Sequence, residues 1–342
     1  MVSNQYLKWL SETESFWWND SAEQSSMDQS IENGATGVTT NPILVKRSLY
    51  GNPGFWIPFL DSARGLKGDE KAEEIIRCVT VEIAKKFEPI FEKTQGEQGY
   101  VCAQVNPKKQ GDTEFMVEMG RRLAAWAPNI AVKVPATAAG IRAIATLAAE
   151  GITTVGTVSF TVAQAVAIAA AQQRGIEACR AEGKMPGKAF SVLMVGRLDD
   201  YLRDVAHDMQ SNVPEEDIIC AGTAAIKKAY RICRERRYES KLMPAGMRGA
   251  YHAVALAGAD MSMSLSSGIH TALAKQTDYK AHIDEAVPDD VIARLLTIPE
   301  FERAYDLEAL LEDEFIRYGA TQRTLSQFVD AGWGPIAEFA LT

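Results

Sequence analysis

The sequence of 342 residues predicts an α/β protein, a (β/α)8 TIM barrel with additional helices at its carboxyl end. Short segments of β-branched and apolar residues alternate with longer helix-like segments, which is typical of a parallel sheet covered by helices. Eight strand-like segments can be counted, the number that closes such a barrel. Neither GxGxxG nor GxxxxGK[ST], the glycine-rich loops of nucleotide-binding open sheets, occurs in the sequence, which disfavours a doubly wound fold.

The predicted strands lie at 16–20, 36–40, 100–106, 130–135, 153–159, 189–195, 240–246 and 259–265. Between them lie segments rich in Ala, Leu, Glu and Arg, residues that favour helices. Helix-like sequence continues after the eighth strand for longer than the last barrel helix requires. Because no linker rich in Gly, Ser or Pro interrupts the chain, we predict one domain over 1–342, with an insertion at about 51–70 and a helical extension at about 287–342.

Composition and charge favour small-molecule chemistry. With 36 basic and 45 acidic residues the net charge is -9, which disfavours binding to nucleic acid and to anionic membranes. The five cysteines form no CxxC pair and the amino terminus lacks the pattern of a secretory signal, so we expect free thiols and a cytoplasmic protein. The four histidines are widely separated and lack metal-binding spacing, so we expect no metal site.

A lysine interrupts the apolar segment IAVKVP at 130–135. With the two-residue period of a strand, Lys133 lies on the face opposite Val132 and Val134, and it points into the barrel if these valines pack against helices. An ammonium in that interior loses its hydration, which favours the neutral amine that can form an imine with a ketone. The alternatives are a lysine whose head reaches solvent and one neutralised by a structural carboxylate.

Polar residues on the neighbouring strands favour the catalytic interpretation. The same alternation points Gln104 and Asn106 of the third strand into the barrel. Thr157 of the fifth strand points inward on the other side of Lys133. Buried polar side chains at facing positions indicate an organised, polar pocket.

Four further residues follow strands, at the face of a barrel where active sites lie. Asp20 ends the first strand and Asn41 follows the second, and each could instead cap a helix. Arg197 and Arg248 begin segments after the sixth and seventh strands. There they could bind a substrate anion near helix amino termini, or each could form a surface salt bridge.

Several motifs together resemble the transaldolase family, in the family's order: GVTTNP (37–42), IAVKVPAT (130–137), TVSFTVAQA (157–165), VGRLDD (195–200) and the Met247–Arg248 segment. The resemblance spans nearly the whole chain. TTNP and the VKVP strand followed by a GR are specific in combination, whereas SFTVAQA alone is weak. The resemblance implies transfer of a dihydroxyacetone unit from a ketose phosphate to an aldose phosphate without a metal or organic cofactor, often by a homodimer.

The resemblance also implies catalytic roles. Lys133 would form the imine, and Asp20 would take the proton from the hydroxyl next to the breaking bond. Gln104 and Thr157 would position the water that shuttles protons. Typical transaldolases carry a glutamate at position 104, and the glutamine resembles the related fructose 6-phosphate aldolases.

Substrate contacts follow in the same way. Asn41 would hold a substrate hydroxyl, and Arg197 with Arg248 would bind the phosphate. Besides Gln104, four positions depart from the family pattern: Val155 replaces the usual asparagine, Val192 and Gly246 replace serines, and Met194 replaces an aromatic residue.

Three functions follow from these observations. The favoured one is a transaldolase of the pentose phosphate pathway, with fructose 6-phosphate or sedoheptulose 7-phosphate as donor. The second is a lyase of the same mechanism that releases dihydroxyacetone, or a transaldolase for a modified sugar. The third is a non-catalytic barrel that binds sugar phosphates, which the presence of both Lys133 and Asp20 disfavours.

Overall fold

The computed structural model describes residues 4–341 and confirms the (β/α)8 TIM barrel. All eight strands pair in parallel, in the order β7-β6-β5-β4-β3-β2-β1-β8, and a bridge between Leu242 and Met261 joins the two ends of the sheet. The strands are β1 Phe16–Asp20, β2 Gly37–Thr39, β3 Tyr100–Gln104, β4 Ile130–Pro135, β5 Thr154–Thr157, β6 Ala189–Leu193, β7 Lys241–Pro244 and β8 Ser262–Leu265.

The eight predicted strands are present, and most are shorter than predicted. At the carboxyl end of β5 the chain leaves the sheet because Val158 has a φ of 53°, a left-handed conformation that is costly for a β-branched residue. After β7, Gly246 has a φ of 63°, which glycine adopts without strain. At the end of β3, Asn106 accepts a hydrogen bond from the backbone N–H of Lys108 and so begins a turn. These turns lie where the active-site face of a barrel is built.

Side chains inside the barrel form an apolar lower layer. Trp18, Tyr100 and Phe190 pack together, with ring centroids 4.8 Å apart for Trp18 and Phe190 and 6.5 Å for Trp18 and Tyr100. Aromatic packing of this kind fills the amino-terminal half of the barrel interior. Asp20 and Gln104, by contrast, are the last residues of β1 and β3.

Seventeen α-helices surround the barrel in the described part of the chain. In chain order, α1 to α17, they are Gln5–Ser11, Met27–Glu32, Pro42–Gly51, Pro53–Trp56, Gly68–Lys93, Thr113–Ala124, Ala138–Ala149, Val162–Ala181, Val195–Asp208, Glu215–Ile218, Ala221–Glu235, Ala250–Leu256, Ser267–Leu273, Asp289–Leu295, Pro299–Tyr305, Gly319–Phe328 and Gly334–Glu338. Within residues 4–341, none of these helices is both long enough and apolar enough to cross a membrane.

The helices after β8 return to the barrel and pack beside its open face. Helix α16 contacts α9 and α3, and a π-helical turn at Val329–Trp333 follows it and also packs on α3. Gly332 in this turn lies so close to Pro42 that an added Cβ would stand 2.7 Å from the Pro42 Cβ, so only glycine fits there. The Nε2 of Gln164 on α8 donates to Thr321 on α16 at 3.2 Å.

The segment at 51–70 packs beside the barrel as short helices. It contains α4, two 3₁₀ turns at Ile57–Phe59 and Asp61–Ala63, and the start of α5. Trp56 is 1% exposed and donates through its indole N–H to the Ser48 hydroxyl at 2.9 Å, which fixes the segment to α3.

Candidate active site

A cavity of about 280 Å³ opens at the carboxyl ends of the strands. Six of the seven predicted site residues line it: Asp20, Asn41, Lys133, Thr157, Arg197 and Arg248. The seventh, Gln104, is 3% exposed and does not line the cavity, but it is paired in register with Lys133 on the adjacent strand. The structure thus brings the predicted residues together although they span more than half of the sequence.

Lys133 lies inside the barrel, as the strand period predicts. The residue is only 6% exposed, and its Nζ donates a hydrogen bond to the backbone oxygen of Thr40 at 3.2 Å. This partner is a neutral carbonyl rather than the structural carboxylate of the alternative interpretation. Cys102 of β3 lies on the same interior face, and burial raises the pKa of its thiol to about 11, which keeps it neutral. Lys133 forms no salt bridge with a carboxylate within residues 4–341, so its amine is free to attack the carbonyl carbon of a substrate.

A chain of hydroxyl groups holds Asp20. Its Oδ1 accepts a hydrogen bond from the Thr39 hydroxyl at 2.7 Å, and the Thr39 oxygen also lies 2.7 Å from the Ser264 hydroxyl. Because the single Thr39 proton goes to the carboxylate, Ser264 donates to Thr39. Thr39 and Ser264 are each at most 2% exposed. These hydroxyl groups fix the orientation of Asp20, and within residues 4–341 Asp20 makes no helix-capping contact, which was its alternative interpretation.

Asn41 both lines the cavity and caps a helix. It lines the cavity, and its Oδ1 accepts hydrogen bonds from the backbone N–H groups of Ile43 and Leu44, both at 3.0 Å. It is therefore the N-cap of α3, where Pro42 takes the first helical position. Since the carbonyl oxygen is used by the cap, the amide N–H groups are what Asn41 offers to a ligand.

Gln104, Lys133 and Val155 form one row across three neighbouring strands. The Oε1 of Gln104 is buried and has no hydrogen-bond donor within residues 4–341. An unmatched buried amide oxygen is costly, so this atom can accept a hydrogen bond from a small molecule that enters the interior. Thr157 lies on the same strand as Val155, two residues closer to the cavity, and is paired with Pro135 of β4. Asn106 does not join this row: contrary to the prediction, its side chain turns to α5, where its Nδ2 donates to Asp69.

Two arginines form the cationic end of the cavity. Arg197 donates to the Oε1 of Gln327 at 2.8 Å, and its guanidinium lies 5.9 Å from the ring centre of Phe328. Burial and the nearby charge of Arg248 lower the pKa of Arg197, although arginine stays protonated. Arg248 donates through Nε to the Oδ2 of Asp200 at 2.7 Å. This is the salt bridge predicted as the alternative role of Arg248. Two cations with one carboxylate leave this end attractive to an anion.

The backbones that carry the two arginines touch. An added Cβ on Gly196 would lie 2.5 Å from the Gly246 oxygen and 2.8 Å from Arg248 Cγ, so the amino end of α9 fits against the β7–α12 loop only with glycine. The φ of 63° at Gly246 favours glycine there as well, because residues with a side chain rarely adopt this conformation. The absence of a serine at Gly246 therefore has a backbone reason.

Sequence reasoning missed the residues that support the cavity from elsewhere in the chain. Thr39 and Ser264 are on the inward-facing positions of their strands, so the alternation of TTNP and MSMSL could have indicated them. Gln327 and Phe328 come from α16, more than 120 residues after Arg197. No local pattern marks them, because their place depends on how the carboxyl-terminal helices return to the barrel.

Comparisons with known proteins agree with this geometry. A family model described as transaldolase/fructose-6-phosphate aldolase matches residues 17–316. The chain belongs to this family. A protein named transaldolase from Thiobacillus denitrificans is 28% identical over 324 residues, which cover 88% of this chain and 86% of that protein. Transaldolase 1 of Streptomyces avermitilis is 29% identical over 272 residues, 77% of this chain and 68% of that protein.

The family match includes every predicted site residue. It begins at residue 17, before Asp20, and ends at residue 316, between α15 and α16. Helix α16, which carries Gln327 and Phe328, lies beyond the matched residues. The family match therefore covers the barrel and its interior but does not extend to α16.

Proposed function

We propose that this chain is a transaldolase that transfers a dihydroxyacetone unit between sugar phosphates through an imine on Lys133. One observation supports this most directly. A buried amine with a neutral hydrogen-bond partner, a carboxylate that accepts a hydrogen bond from the Thr39 hydroxyl, and a pair of arginines all lie at one cavity. Relatives over most of the chain carry the name transaldolase.

The chemistry follows from these positions. The Lys133 amine attacks the ketone carbon of a ketose phosphate, water leaves, and a protonated imine forms. Asp20 takes the proton from the hydroxyl adjacent to the breaking carbon–carbon bond, and the bonding electrons move to the imine as the aldose leaves. The resulting enamine attacks the aldehyde of an acceptor aldose phosphate, and Asp20 returns the proton. Hydrolysis of the new imine frees the product and Lys133.

Gln104 and Thr157 are proposed to hold the water that is lost and regained at the imine carbon. The buried Gln104 Oε1 can accept a hydrogen bond from it, and the Thr157 hydroxyl can both donate and accept. Glutamine has no ionisable proton, so proton movement through this water depends on Thr157 and on the substrate itself. Arg197 and Arg248 are proposed to bind the phosphate of donor and acceptor, and Asn41 a hydroxyl of the three-carbon unit.

The imine is tested by trapping. Borohydride added with fructose 6-phosphate should fix an adduct of the dihydroxyacetone unit on Lys133, seen by mass spectrometry of the peptide that contains 130–135. Lys133→Met should give no adduct and no turnover, whereas Lys188→Met, at the amino end of β6, should react as the wild type does. Turnover without any adduct on Lys133 would refute the proposed mechanism.

A lyase of the same family is the second candidate, and Gln104 is the observation that favours it. Release of glyceraldehyde 3-phosphate from fructose 6-phosphate separates the two. Release that requires erythrose 4-phosphate indicates transfer, and release without an acceptor indicates cleavage to free dihydroxyacetone. We expect Gln104→Glu to lower the acceptor-free fraction of product, because it restores the glutamate that typical transaldolases carry at this position. An unchanged fraction would show that position 104 does not set the partition.

We further propose that the substrates belong to the pentose phosphate pathway and that the protein works in the cytoplasm. The cationic end of the cavity supports a phosphorylated substrate, and the five free cysteines support a reducing compartment. Comparison of the specificity constants for fructose 6-phosphate, sedoheptulose 7-phosphate and unphosphorylated fructose tests the first point. Cell fractionation followed by immunoblotting tests the second.

A further inference from the structure

A buried histidine–carboxylate pair lies directly behind the two arginines of the cavity. Asp199 and His252 are both 0% exposed, and the His252 Nε2 lies 2.8 Å from the Asp199 Oδ2. Neither residue lines the cavity, so neither can contact a substrate in this conformation. A fully buried pair of titratable groups next to an active site calls for a physical explanation.

The hydrogen bonds determine where the histidine proton sits. The backbone N–H of Arg248 donates to the His252 Nδ1 at 3.4 Å. A ring nitrogen that accepts carries no proton, so the proton of the neutral ring is on Nε2 and is donated to Asp199. The other carboxylate oxygen of Asp199 accepts the backbone N–H of Gly222 at 2.8 Å. The pair thus uses both ring nitrogens and both carboxylate oxygens.

The pair connects the segments that carry the arginines. Asp199 is on α9, two residues after Arg197, and His252 is on α12, four residues after Arg248. The next residue of α9, Asp200, accepts a hydrogen bond from the Arg248 side chain. Helix α9 therefore holds the Arg248 side chain directly through Asp200, and it holds the Arg248 backbone indirectly through His252. The mutual repulsion of the two guanidinium groups opposes this arrangement, so it needs such an anchor when no anion is bound.

We propose that Asp199 and His252 are positioning residues for the anion-binding end of the cavity. The pair fixes the backbone at Arg248, so that the guanidinium groups of Arg197 and Arg248 face one anion, a phosphate monoester of a sugar. This inference rests on the proposed function, in which that end binds the substrate phosphate. The contact between His252 Nδ1 and the Arg248 backbone positions the guanidinium group. The contact between His252 and Asp199 mainly stabilises the fold.

Two substitutions of His252 separate these contacts. The Nε2 of a glutamine can replace the imidazole Nε2 and still donate to Asp199, but glutamine offers no acceptor at the position of Nδ1. The Oδ1 of an asparagine can replace Nδ1 and accept from Arg248, but asparagine does not reach Asp199 and leaves that carboxylate one donor short. His252→Gln therefore tests positioning, and His252→Asn tests stability.

The measurements are calorimetric titration with inorganic phosphate, steady-state kinetics with fructose 6-phosphate, and thermal unfolding. We expect His252→Gln to weaken phosphate binding and to raise KM by about two- to tenfold, the effect of one neutral hydrogen bond, with kcat and Tm close to those of the wild type. We expect His252→Asn to lower Tm while phosphate binding and KM stay within about twofold. His282→Gln, which changes a histidine paired with Asp278 and Glu285 away from the cavity, is the control.

The outcomes that oppose the inference are distinct. Wild-type phosphate affinity in His252→Gln would overturn it, as would phosphate affinities that follow Tm across both variants, since the pair would then be structural only. If wild-type protein binds neither inorganic phosphate nor fructose 6-phosphate, the proposed anion-binding end itself is wrong and the inference falls with it. If Lys133 fails to form an imine while phosphate still binds with the expected split, the proposed reaction fails and the positioning role stands.

Discussion

The hydrogen bond from Thr39 to Asp20 offers a direct test of how the proposed general base is held. Thr39→Val keeps the shape of the side chain and removes the one hydroxyl that donates to the carboxylate, at 2.7 Å and 1% exposure. A hydrogen bond to a charged group contributes about 1.5–3 kcal/mol. If Asp20 must keep this orientation to accept the substrate proton, kcat should fall by about 10- to 100-fold. Ser264→Ala should have a smaller effect, below about tenfold, because Thr39 can still donate to Asp20.

The assay is steady-state transfer from fructose 6-phosphate to erythrose 4-phosphate, with release of glyceraldehyde 3-phosphate followed by a coupled dehydrogenase. Thr36→Val is the matched control, because the Thr36 hydroxyl precedes the same strand and donates to the backbone oxygen of Trp17, away from the cavity. Borohydride trapping of each variant reports whether the imine still forms. A kcat for Thr39→Val equal to that of Thr36→Val would refute the reasoning, and so would a loss of imine formation equal to the loss of kcat.

Three further predictions concern the anion end and a buried histidine. Arg248→Ala should raise KM for fructose 6-phosphate by about 10- to 100-fold, through loss of a charge-assisted hydrogen bond, and should change KM for unphosphorylated fructose little, as measured by steady-state kinetics. Gly196→Ala would place a Cβ 2.5 Å from the Gly246 oxygen and should lower the free energy of unfolding in urea by about 1–3 kcal/mol, whereas Gly268→Ala, with open space at the Cβ position, should not. Burial lowers the pKa of His270 from 6.5 to about 4, so the unfolded chain binds a proton in this window that the folded protein does not, and the free energy of unfolding should fall as pH is lowered from 6.5 towards 4. His270→Gln should reduce that fall by about 2–3 kcal/mol in urea titrations across this pH range, and an equally steep fall in the variant would assign the pH dependence to other groups.

The strands of the barrel could be predicted from sequence because their periodicity is local. Every predicted strand is present, and 16–20 and 130–135 have the predicted bounds. The second, third, fifth, sixth and seventh strands end earlier than predicted, whereas the eighth begins later, at Ser262. The strand ends depend on single backbone angles, such as the left-handed conformations at Val158 and Gly246. The sequence around these residues does not predict such angles.

The interior of the site was predictable for the same reason. Alternation places Lys133 and Gln104 on one interior face, and the register of β3 and β4 pairs them side by side. Their roles came from the family resemblance and stay predictions. Partners supplied by distant segments were not predictable: Ser264 lies 225 residues from Thr39, and Gln327 lies 130 residues from Arg197. A single sequence contains no signal for contacts of that kind.

The carboxyl-terminal helices complete the cavity and supply contacts near Gly246, one of the departures from the family pattern. Gly246 carries no hydroxyl, but the Arg197 guanidinium beside it is held from the other side by Gln327 and Phe328 of α16. The turn after α16 packs on Pro42, next to the N-cap that also lines the cavity. One helix therefore supports both the cationic end and the segment of Asn41. In the proposed function the two ends of a bound sugar phosphate meet these two regions, so we predict that the helical extension sets the distance between them.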